Sequence, residues 1–235
     1  MDAQVAEVAS DVDAMSNAQR VVLFDFDGVL VRGDAFTKFM RARYSRAWWR
    51  VLPLLMLTPL LLLLALTSRG RRSIVKLVVV WALVGLDEKA YRALADRFGR
   101  TLARDARHFS RPAFAVLNQH RRAGDRVLVV TGCEETLARA ILDELGLSEI
   151  ELVASRVMPG RFGPRVAVRN IGREKLRQLA LRDVHPEWDV AYSDSLVDLP
   201  MLAGARAAVV VNPYRGMLAR AQARLGARVS AVDWA

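Results

Sequence analysis

The stretch FDFDGVL, residues 24 to 30, decides the fold of this 235-residue chain. It continues the apolar run Val21 to Phe24 and places two acids, Asp25 and Asp27, before Gly28. A buried strand that leads into a polar loop has this pattern. We therefore predict a strand that carries Asp25 and Asp27 at its carboxyl end.

Four similar runs follow in the second half of the chain, and each precedes a helical pattern. They are RVLVVTG at 126 to 132, ELVAS at 151 to 155, DVAYSD at 189 to 194 and AAVVVNP at 207 to 213. Alternating strands and helices predict an α/β fold with a doubly wound, Rossmann-like parallel sheet. Ligands bind beyond the carboxyl ends of the strands in such sheets, where Asp25, Thr131 and Asp194 would meet.

The segment 35 to 121 contains no comparable strand, so we predict a small all-helical cap inserted into the core. The catalytic core is then built from residues 20 to 34 and 122 to 235. Residues 1 to 19 carry four acids and no basic residue, unlike a secretory signal peptide, and we expect a mobile tail there.

Composition and charge exclude several classes of protein. Hydrophobic residues make up 53% of the chain, which excludes disorder, and the single cysteine, Cys133, excludes an internal disulfide and a thiolate zinc site. Residues 32 to 76 hold ten Lys or Arg and one acid, so the net charge of +10 is concentrated there. Few aromatic residues alternate with these cations beyond Trp48 and Trp49, which disfavours nucleic acid as a partner.

The basic patch surrounds an apolar run, VLPLLMLTPLLLLLALT at Val51 to Thr67, which has 17 uncharged residues and ten leucines. Apolar runs flanked by arginines indicate contact with lipid. The alternative is that this run and a second one at 77 to 86 are buried helices of a soluble cap. Because so many leucines leave no polar helix face, we favour the membrane.

Topology limits how this region can enter a membrane. Both of its ends return to one sheet, the second run has only ten residues, and a full crossing would translocate the arginines of a basic turn at SRGRRS, residues 68 to 73. We therefore predict a shallow or re-entrant membrane hairpin over 51 to 86, bent at Pro53 and Pro59.

Three further motifs add polar side chains to the acid pair. VVTGC contributes Thr131 and the Gly132 amide, NIGREK contributes Lys175, and YSDSLVDLPML contributes Asp194 and Asp198. Three of these residues also have a structural interpretation. Thr131 and Asp198 are suitable helix caps, and Lys175 is a common type of exposed helix residue.

In this order, the four motifs resemble those of the haloacid dehalogenase-like phosphatases, over nearly all of residues 20 to 215. An insertion between the first two motifs resembles the subfamily that includes phosphoserine phosphatase. DAFTKF at 34 to 39, the two apolar runs, NIGREK and YSDS resemble phosphatidylglycerophosphatase C more closely. That resemblance implies a membrane-associated enzyme that removes the terminal phosphate from phosphatidylglycerophosphate.

By position, the resemblance implies that Asp25 is the nucleophile and forms an aspartyl-phosphate. Asp27 would protonate the leaving alkoxide and then activate water. It also implies Mg²⁺ as the cofactor, bound by Asp25, the carbonyl of Asp27, and Asp194. These roles agree with general chemistry, because a metal offsets the repulsion between a carboxylate and a phosphate.

The resemblance also implies that Thr131, the Gly132 amide and Lys175 bind phosphoryl oxygens. Asp198 would orient metal-bound water or Lys175. Asp34 is a candidate substrate contact, although capping of the helix that begins at Ala35 explains it equally well.

The resemblance implies a Ser at the position of Cys133 in many members of the family, so this chain departs from the expected pattern there. We expect Cys133 to be a small buried residue without a catalytic role.

Three hypotheses for the function follow. The first is a phosphatase of phosphatidylglycerophosphate, whose partners are the anionic phospholipid and the membrane surface, without nucleic acid or an obligate protein partner. It would lie at the bacterial inner membrane with its catalytic core on the cytoplasmic side. The second is a membrane-anchored phosphatase of a small soluble ester such as phosphoserine, and the third is a non-catalytic membrane scaffold.

Overall fold

The computed structural model describes residues 19–158 and 165–234, apart from the side chain of Arg72. The predicted mobile tail lies outside the described residues except for Gln19. Within the described part of the chain, the strands are β1 (Val21–Phe24), β2 (Arg126–Glu134), β3 (Glu151–Met158), β4 (Arg165–Val168), β5 (Trp188–Ser193), β6 (Ala205–Val211) and β7 (Val229–Val232).

The helices of the same residues alternate with these strands in the second half of the chain. They are α1 (Ala35–Arg46), α2 (Val51–Met56), α3 (Thr58–Ala65), α4 (Ser68–Leu83), α5 (Glu88–Ala103), α6 (Arg111–Arg122), α7 (Glu135–Glu144), α8 (Arg173–Ala180), α9 (Leu199–Ala203) and α10 (Met217–Leu225). Short 3₁₀ turns cover Trp48–Arg50, Ala106–His108, Leu196–Asp198 and Gly226–Arg228.

The strands form one sheet in the order β4-β3-β2-β1-β5-β6-β7. All neighbouring pairs are parallel except β3 and β4, which are antiparallel. The prediction of a parallel α/β sheet is confirmed for five strands, and the antiparallel edge is a correction. The sequence pattern does not predict β4 and β7, because RVAV and VSAV are short edge strands without a long apolar run.

Helices cover both faces of this sheet, because successive side chains of a strand point to opposite sides. Phe24 lies in one apolar cluster with Leu117 of α6 and Leu137 of α7. Its neighbour Leu23 lies in a second cluster with Leu179 of α8. The sheet is therefore doubly wound, and its central strand β1 carries the acid pair out of the core.

Between β1 and β2 the described chain forms helices α1 to α6 and no strand. α6 borders the sheet, since Ala113 and Leu117 are buried in the first apolar cluster. The predicted boundary between cap and core, at residues 121 and 122, falls at the end of this helix. The division into cap and core stays a prediction.

We call residues 48–66 the elbow, because two short apolar segments meet there at a bend of 69° between Trp48–Met56 and Thr58–Ala65. Pro59 lies in the first turn of α3, where a proline is compatible with a helix start. In the described residues, no single helix is long and apolar enough to cross a membrane, although this bent pair passes that test together.

The elbow is exposed. Neither α2 nor α3 has a buried residue, and Met56 is 84% exposed. The alternative that the first apolar run is buried in a soluble cap is therefore wrong for α2 and α3. The predicted basic turn at 68 to 73 is also wrong, because Thr67 caps α4 by accepting a hydrogen bond from the Gly70 amide, and the arginines lie in the helix.

Arg50 and Trp81 hold the base of the elbow to α4. The Arg50 guanidinium donates hydrogen bonds to the carbonyls of Trp81 (2.6 Å) and Val84 (3.0 Å). In return, the Trp81 indole donates to the carbonyl of Arg50 at 2.7 Å. The guanidinium also lies over the rings of Trp49 and Trp81, at 4.7 and 5.8 Å from their centroids. One arginine of the basic patch is thus structural.

Candidate active site

Asp25 lies immediately after β1, in the centre of the sheet. Its amide donates to the carbonyl of Tyr192 on β5, at 2.9 Å, which continues the strand pairing. Its side chain is almost buried, and Oδ1 accepts a hydrogen bond from the Phe26 amide at 2.8 Å. The pairing with β5 therefore fixes the backbone of Asp25, and the Phe26 amide holds its carboxylate.

Lys175 reaches Asp25 from α8. Its Nζ lies 3.1 Å from Oδ1 of Asp25 and 2.7 Å from Oδ2 of Asp198, and the lysine is only 1% exposed. Ser193 donates to the same oxygen of Asp198 at 2.9 Å. Lys175 is therefore not an exposed helix residue. Asp198 occupies the N-cap position of α9 without a capping hydrogen bond from its side chain, so its structural interpretation is wrong too.

Burial and mutual charge shift the pKa values of this cluster. Burial raises the pKa of Asp25 well above its ordinary value, and the Lys175 ammonium opposes the rise while the Asp198 charge adds to it. Burial acts to lower the pKa of Lys175, but the charges of Asp25 and Asp198 outweigh it and raise that pKa. The lysine therefore stays protonated between two carboxyl groups.

Asp27 lies in the loop after β1, where its Oδ1 accepts a hydrogen bond from the Ala35 amide at 2.8 Å. Burial raises the pKa of Asp27 to about 7, against the lowering effect of that hydrogen bond, and the charges of Asp34 and Asp194 add to the rise. At neutral pH this carboxyl group populates both of its protonation states. It is thus suited to give and then accept a proton.

Asp194 follows β5 and lies against the loop after β1 that carries Asp27 and Gly28. A Cβ atom on Gly28 would lie 1.8 Å from Oδ2 of Asp194, and Gly28 has a φ of +75°, so a side chain here would displace the carboxylate. Burial raises the pKa of Asp194, and the charge of Asp198 contributes.

The predicted Mg²⁺ ligands fit a cation by their chemistry. Burial is the main cause that raises the pKa values of Asp25, Asp27 and Asp194, so a bound cation would favour the ionised forms of these carboxyl groups. Oxygen donors of this kind are those that Mg²⁺ prefers. In the described residues, no group of three or more His, Cys, Asp or Glu side chains is arranged to hold a metal. The predicted set differs from such a group, because it combines two carboxylates with one backbone carbonyl.

Thr131 and Gly132 lie in the last part of β2, where the pairing with β3 is irregular. Thr131 is fully buried, and its Oγ1 accepts a hydrogen bond from the Cys133 amide at 2.9 Å. The N-cap of α7 is Glu134, which accepts from the Leu137 amide at 3.0 Å, so the capping interpretation of Thr131 is wrong.

Asn170 belongs to the same edge of the sheet, although the sequence motifs did not single it out. Its Nδ2 donates to the carbonyls of Thr131 (2.9 Å) and Val153 (2.8 Å), and its amide donates to Oγ of Ser155 at 2.9 Å. Asn170 therefore bridges β2 and β3 at the end of β2 that carries Thr131. Its position at the head of NIGREK was a usable signal, because a buried asparagine side chain needs backbone partners.

A second asparagine, Asn212, holds the loop after β1 from the other side. It follows β6, donates to the carbonyl of Gly28 at 3.4 Å, and accepts from the Trp234 amide at 2.6 Å. Ser110 also donates to the Trp234 carbonyl at 2.9 Å. The end of the chain thus supports the loop that carries Asp27.

Asp34 and Cys133 lie at the edge of this cluster. Asp34 is exposed and caps α1 by accepting a hydrogen bond from the Thr37 amide, as its structural interpretation predicted. Cys133 is buried, as expected, and burial together with the charges of Asp27 and Asp34 raises the pKa of its thiol well above the ordinary value. A protonated thiol is a poor nucleophile.

The structure therefore brings Asp25, Lys175 and Asp198 into direct contact. Asp27 and Asp194 lie close enough for their charges to interact, and Asn170 links Thr131 to the same edge of the sheet. The catalytic, phosphate-binding and metal-binding roles of these residues stay predictions.

The family model for haloacid dehalogenase-like hydrolase matches residues 22–203. A probable phosphatase of Mycobacterium tuberculosis H37Rv is 36% identical over 109 residues, which cover 45% of this chain and 38% of that protein. The chain thus spans well under half the length of that relative. The phosphoserine phosphatase SerB1 of the same organism is 28% identical over 230 residues, covering 91% of this chain and 71% of SerB1.

Two solved structures share the fold. A protein of unknown function from Bordetella pertussis Tohama I has a TM-score of 0.65 at 20% identity and covers 92% of this chain and 99% of its own. A phosphoserine phosphohydrolase-like protein from Francisella tularensis has a TM-score of 0.58 at 11% identity, with 90% and 94% covered. At these identities the similarity concerns the fold alone.

Proposed function

This chain belongs to the haloacid dehalogenase-like hydrolase family, and from that premise we propose that it is a membrane-associated phosphatase that converts phosphatidylglycerophosphate to phosphatidylglycerol. The observation that carries the proposal is the position of α1. The amide of its first residue, Ala35, donates a hydrogen bond to Asp27, and only Ala47 separates its last residue from the elbow. The 12 residues of α1 span about 18 Å, so one helix links the acid pair to an exposed apolar surface.

Asp25 is the nucleophile in this proposal. Its carboxylate attacks phosphorus, a new bond between Asp25 and phosphorus forms, and the bond from phosphorus to the lipid alkoxide breaks. Phe26 and Lys175 hold Oδ1 and so fix the plane of the carboxylate. The ammonium also favours the ionised form of Asp25, which the attack requires.

Asp27 supplies and recovers the proton. In its protonated form it gives a proton to the departing alkoxide, and the resulting carboxylate then removes a proton from the water that attacks the aspartyl-phosphate. Inorganic phosphate leaves and Asp25 is restored. A pKa of about 7 allows both steps near neutral pH.

Lys175, Thr131 and the Gly132 amide are the donors for the phosphoryl oxygens. Lys175 is positioned by Asp198, which in turn accepts from Ser193, so the ammonium is held before substrate arrives. Mg²⁺ held by Asp25, the Asp27 carbonyl and Asp194 would supply the positive charge that these carboxylates and the phosphate require.

The elbow is the proposed membrane contact. The elbow exposes many large apolar side chains close together in the chain, whereas a typical protein surface exposes such side chains singly. Two exposed tryptophans, Trp48 and Trp49, lie at its base. Exposed cations border it, namely Arg46, Arg69, Arg71 and Lys76. Such a border attracts anionic lipid headgroups. The proposal for a bacterium is therefore a protein at the inner membrane, with its catalytic core on the cytoplasmic side.

A phosphatase of a small soluble ester such as phosphoserine is the second candidate. The similarity to SerB1 over most of this chain favours it. A hydrolysis assay in mixed micelles of detergent and phospholipid tests the two against each other. We expect a higher kcat/KM for phosphatidylglycerophosphate than for phosphoserine. The reverse order in the same micelles would replace the first candidate with the second.

A further inference from the structure

Lys38 lies beside the loop that connects the acid pair to α1. It is on the first turn of α1, it is partly buried, and its Nζ donates a hydrogen bond to the carbonyl of Arg32. The same nitrogen lies 3.9 Å from where a Cβ atom of Gly33 would be. Since Gly33 has no side chain, nothing from that residue covers the ammonium.

The carboxylates of Asp27 and Asp34 lie near enough to Lys38 to affect its pKa, but neither forms a salt bridge with it among the described residues. The charges of Asp27 and Asp34 raise the pKa of Lys38, while partial burial has the larger, lowering effect. Asp27 is already hydrogen-bonded to the Ala35 amide and Asp34 to the Thr37 amide. In the part of the chain that the structure describes, Lys38 forms no salt bridge. Its remaining donor capacity is available to a ligand.

The solvent-facing side of α1 continues the positive charge towards the elbow. Thr37, Lys38, Arg41 and Ser45 lie on this side because they are spaced by one helical turn, whereas Phe39 and Met40 on the other side are buried. α1 contains no acidic residue. An anion that approaches Asp25 from the elbow therefore passes Arg41 and then Lys38.

We propose that Lys38 is the centre of a second anion subsite, which binds a phosphodiester of the substrate while the Asp25–Lys175 cluster holds the terminal monoester. This proposal deepens the proposed function and relies on it for the reaction. A single partly exposed ammonium suits the single charge of a diester, whereas the more highly charged monoester needs the buried lysine and a metal. The diester can belong to a lipid headgroup or to a soluble molecule.

The test compares three substrates in the same micelles. Phosphatidylglycerophosphate has both phosphates and acyl chains, its deacylated analogue has both phosphates without chains, and p-nitrophenyl phosphate has only the monoester. They are assayed with the wild type, Lys38→Ala, Lys38→Arg and the control Lys89→Ala. Lys89 is an exposed lysine in the first turn of α5.

For each substrate that carries both phosphates, we compare its KM with the KM for p-nitrophenyl phosphate. In Lys38→Ala this ratio should rise about ten-fold, because a charge-assisted hydrogen bond to the diester is lost. Lys38→Arg should restore most of the ratio, and Lys89→Ala should leave it unchanged. An unchanged ratio in Lys38→Ala, or an equal fall of kcat with all three substrates, would overturn the subsite. A change confined to the acylated lipid would assign Lys38 to membrane attraction instead and also overturn it.

A binding measurement separates this proposal from the proposed function. Glycerophosphoglycerol carries the diester without the monoester, and calorimetry should show about ten-fold weaker binding to Lys38→Ala than to the wild type. If the wild type fails to hydrolyse phosphatidylglycerophosphate, the proposed function is wrong, and this measurement still decides the role of Lys38. Equal affinities of the two proteins would reject the subsite while leaving the hydrolysis result intact.

Discussion

The active-site cluster and the elbow both depart from the usual arrangement of a folded protein, in which charged side chains are exposed and apolar side chains are buried. At the site, charged groups are buried: Lys175 is 1% exposed and lies between Asp25 and Asp198. At the elbow, leucines are exposed, and α2 and α3 bury none of their residues. Buried charges and exposed apolar surface both cost free energy in water.

The two regions differ in how the rest of the chain supports them. The site is held by hydrogen bonds from several elements, including Phe26, Ser193 and Asn170. The elbow is tied at its base by the pair of Arg50 and Trp81. We infer that the site is organised before its ligands bind, whereas the proposed membrane contact would cover the apolar side chains of the elbow that the fold leaves exposed. Substitutions at the two regions should therefore have separable effects.

The largest expected effect is that of Asp25→Asn. An amide is a poor nucleophile, so kcat should fall by at least about 10⁴-fold, as for other lost nucleophiles. Because burial raises the pKa of Asp25, the cost of ionising it in the folded protein builds up as the pH rises from its ordinary pKa through the raised pKa, so the melting temperature of Asp25→Asn relative to the wild type should increase with pH over that range. Activity assays and thermal melts check both results, with Asp143→Asn as a control. Near-wild-type turnover would remove Asp25 from its role.

Asp27→Asn should reduce kcat by about 10² to 10⁴, the usual contribution of general acid–base catalysis. In the wild type, a poor alcohol leaving group needs the protonated acid, so its rate should fall as pH rises above about 7. With p-nitrophenyl phosphate, attack of water limits the rate and needs the carboxylate, so that rate should fall below about 7. Rate profiles over pH for both substrates test this. If the rates with both substrates changed with pH in the same direction, Asp27 would not act as both general acid and general base.

A triple variant of the elbow, Leu55→Ser, Met56→Ser and Leu63→Ser, should weaken binding to anionic vesicles by about 100-fold or more, from the lost apolar burial. The melting temperature should stay unchanged, because these side chains are exposed. Vesicle co-sedimentation measures the effect. Leu181→Ser with Val166→Ser is a matched control, since Leu181 is 76% exposed outside the elbow. Equal loss of binding in both variants would mean that the elbow is not the contact.

The smallest effect is expected for Asn170→Ala. Loss of the hydrogen bonds to the Thr131 and Val153 carbonyls should loosen the end of β2 around Thr131 and Gly132 and lower kcat/KM by about ten-fold. The inhibition constant of inorganic phosphate should also rise about ten-fold. A loss of fold stability alone would leave the phosphate affinity of the folded protein unchanged. Asn118→Ala on α6 is the control. An unchanged inhibition constant would show that Asn170 supports the fold and not phosphate binding.

The sequence by itself determined the parts of this protein that depend on local pattern. Buried parallel strands need continuous apolar runs, so β1, β2, β3, β5 and β6 were predictable, and polar residues directly after such runs must lie at one edge of the sheet. The same local reasoning predicted bends at Pro53 and Pro59; the chain bends between Met56 and Thr58, next to Pro59, whereas Pro53 lies within α2. For Asp34 it gave helix capping as one of two interpretations, and the structure shows that cap. It also predicted the exposure of an uncharged leucine run that has no polar face.

Only the tertiary structure decided what depends on partners distant in the chain. Asp198 had a local use as a cap, but Lys175, 23 residues earlier, holds its side chain instead. Asn170 bridges two strands through carbonyls 39 and 17 residues away, and Arg50 joins the elbow to α4 across 31 residues. A local pattern shows which groups need partners. Which partner each group finds depends on packing that brings distant segments together, because a buried polar group binds whichever donor or acceptor the fold places beside it.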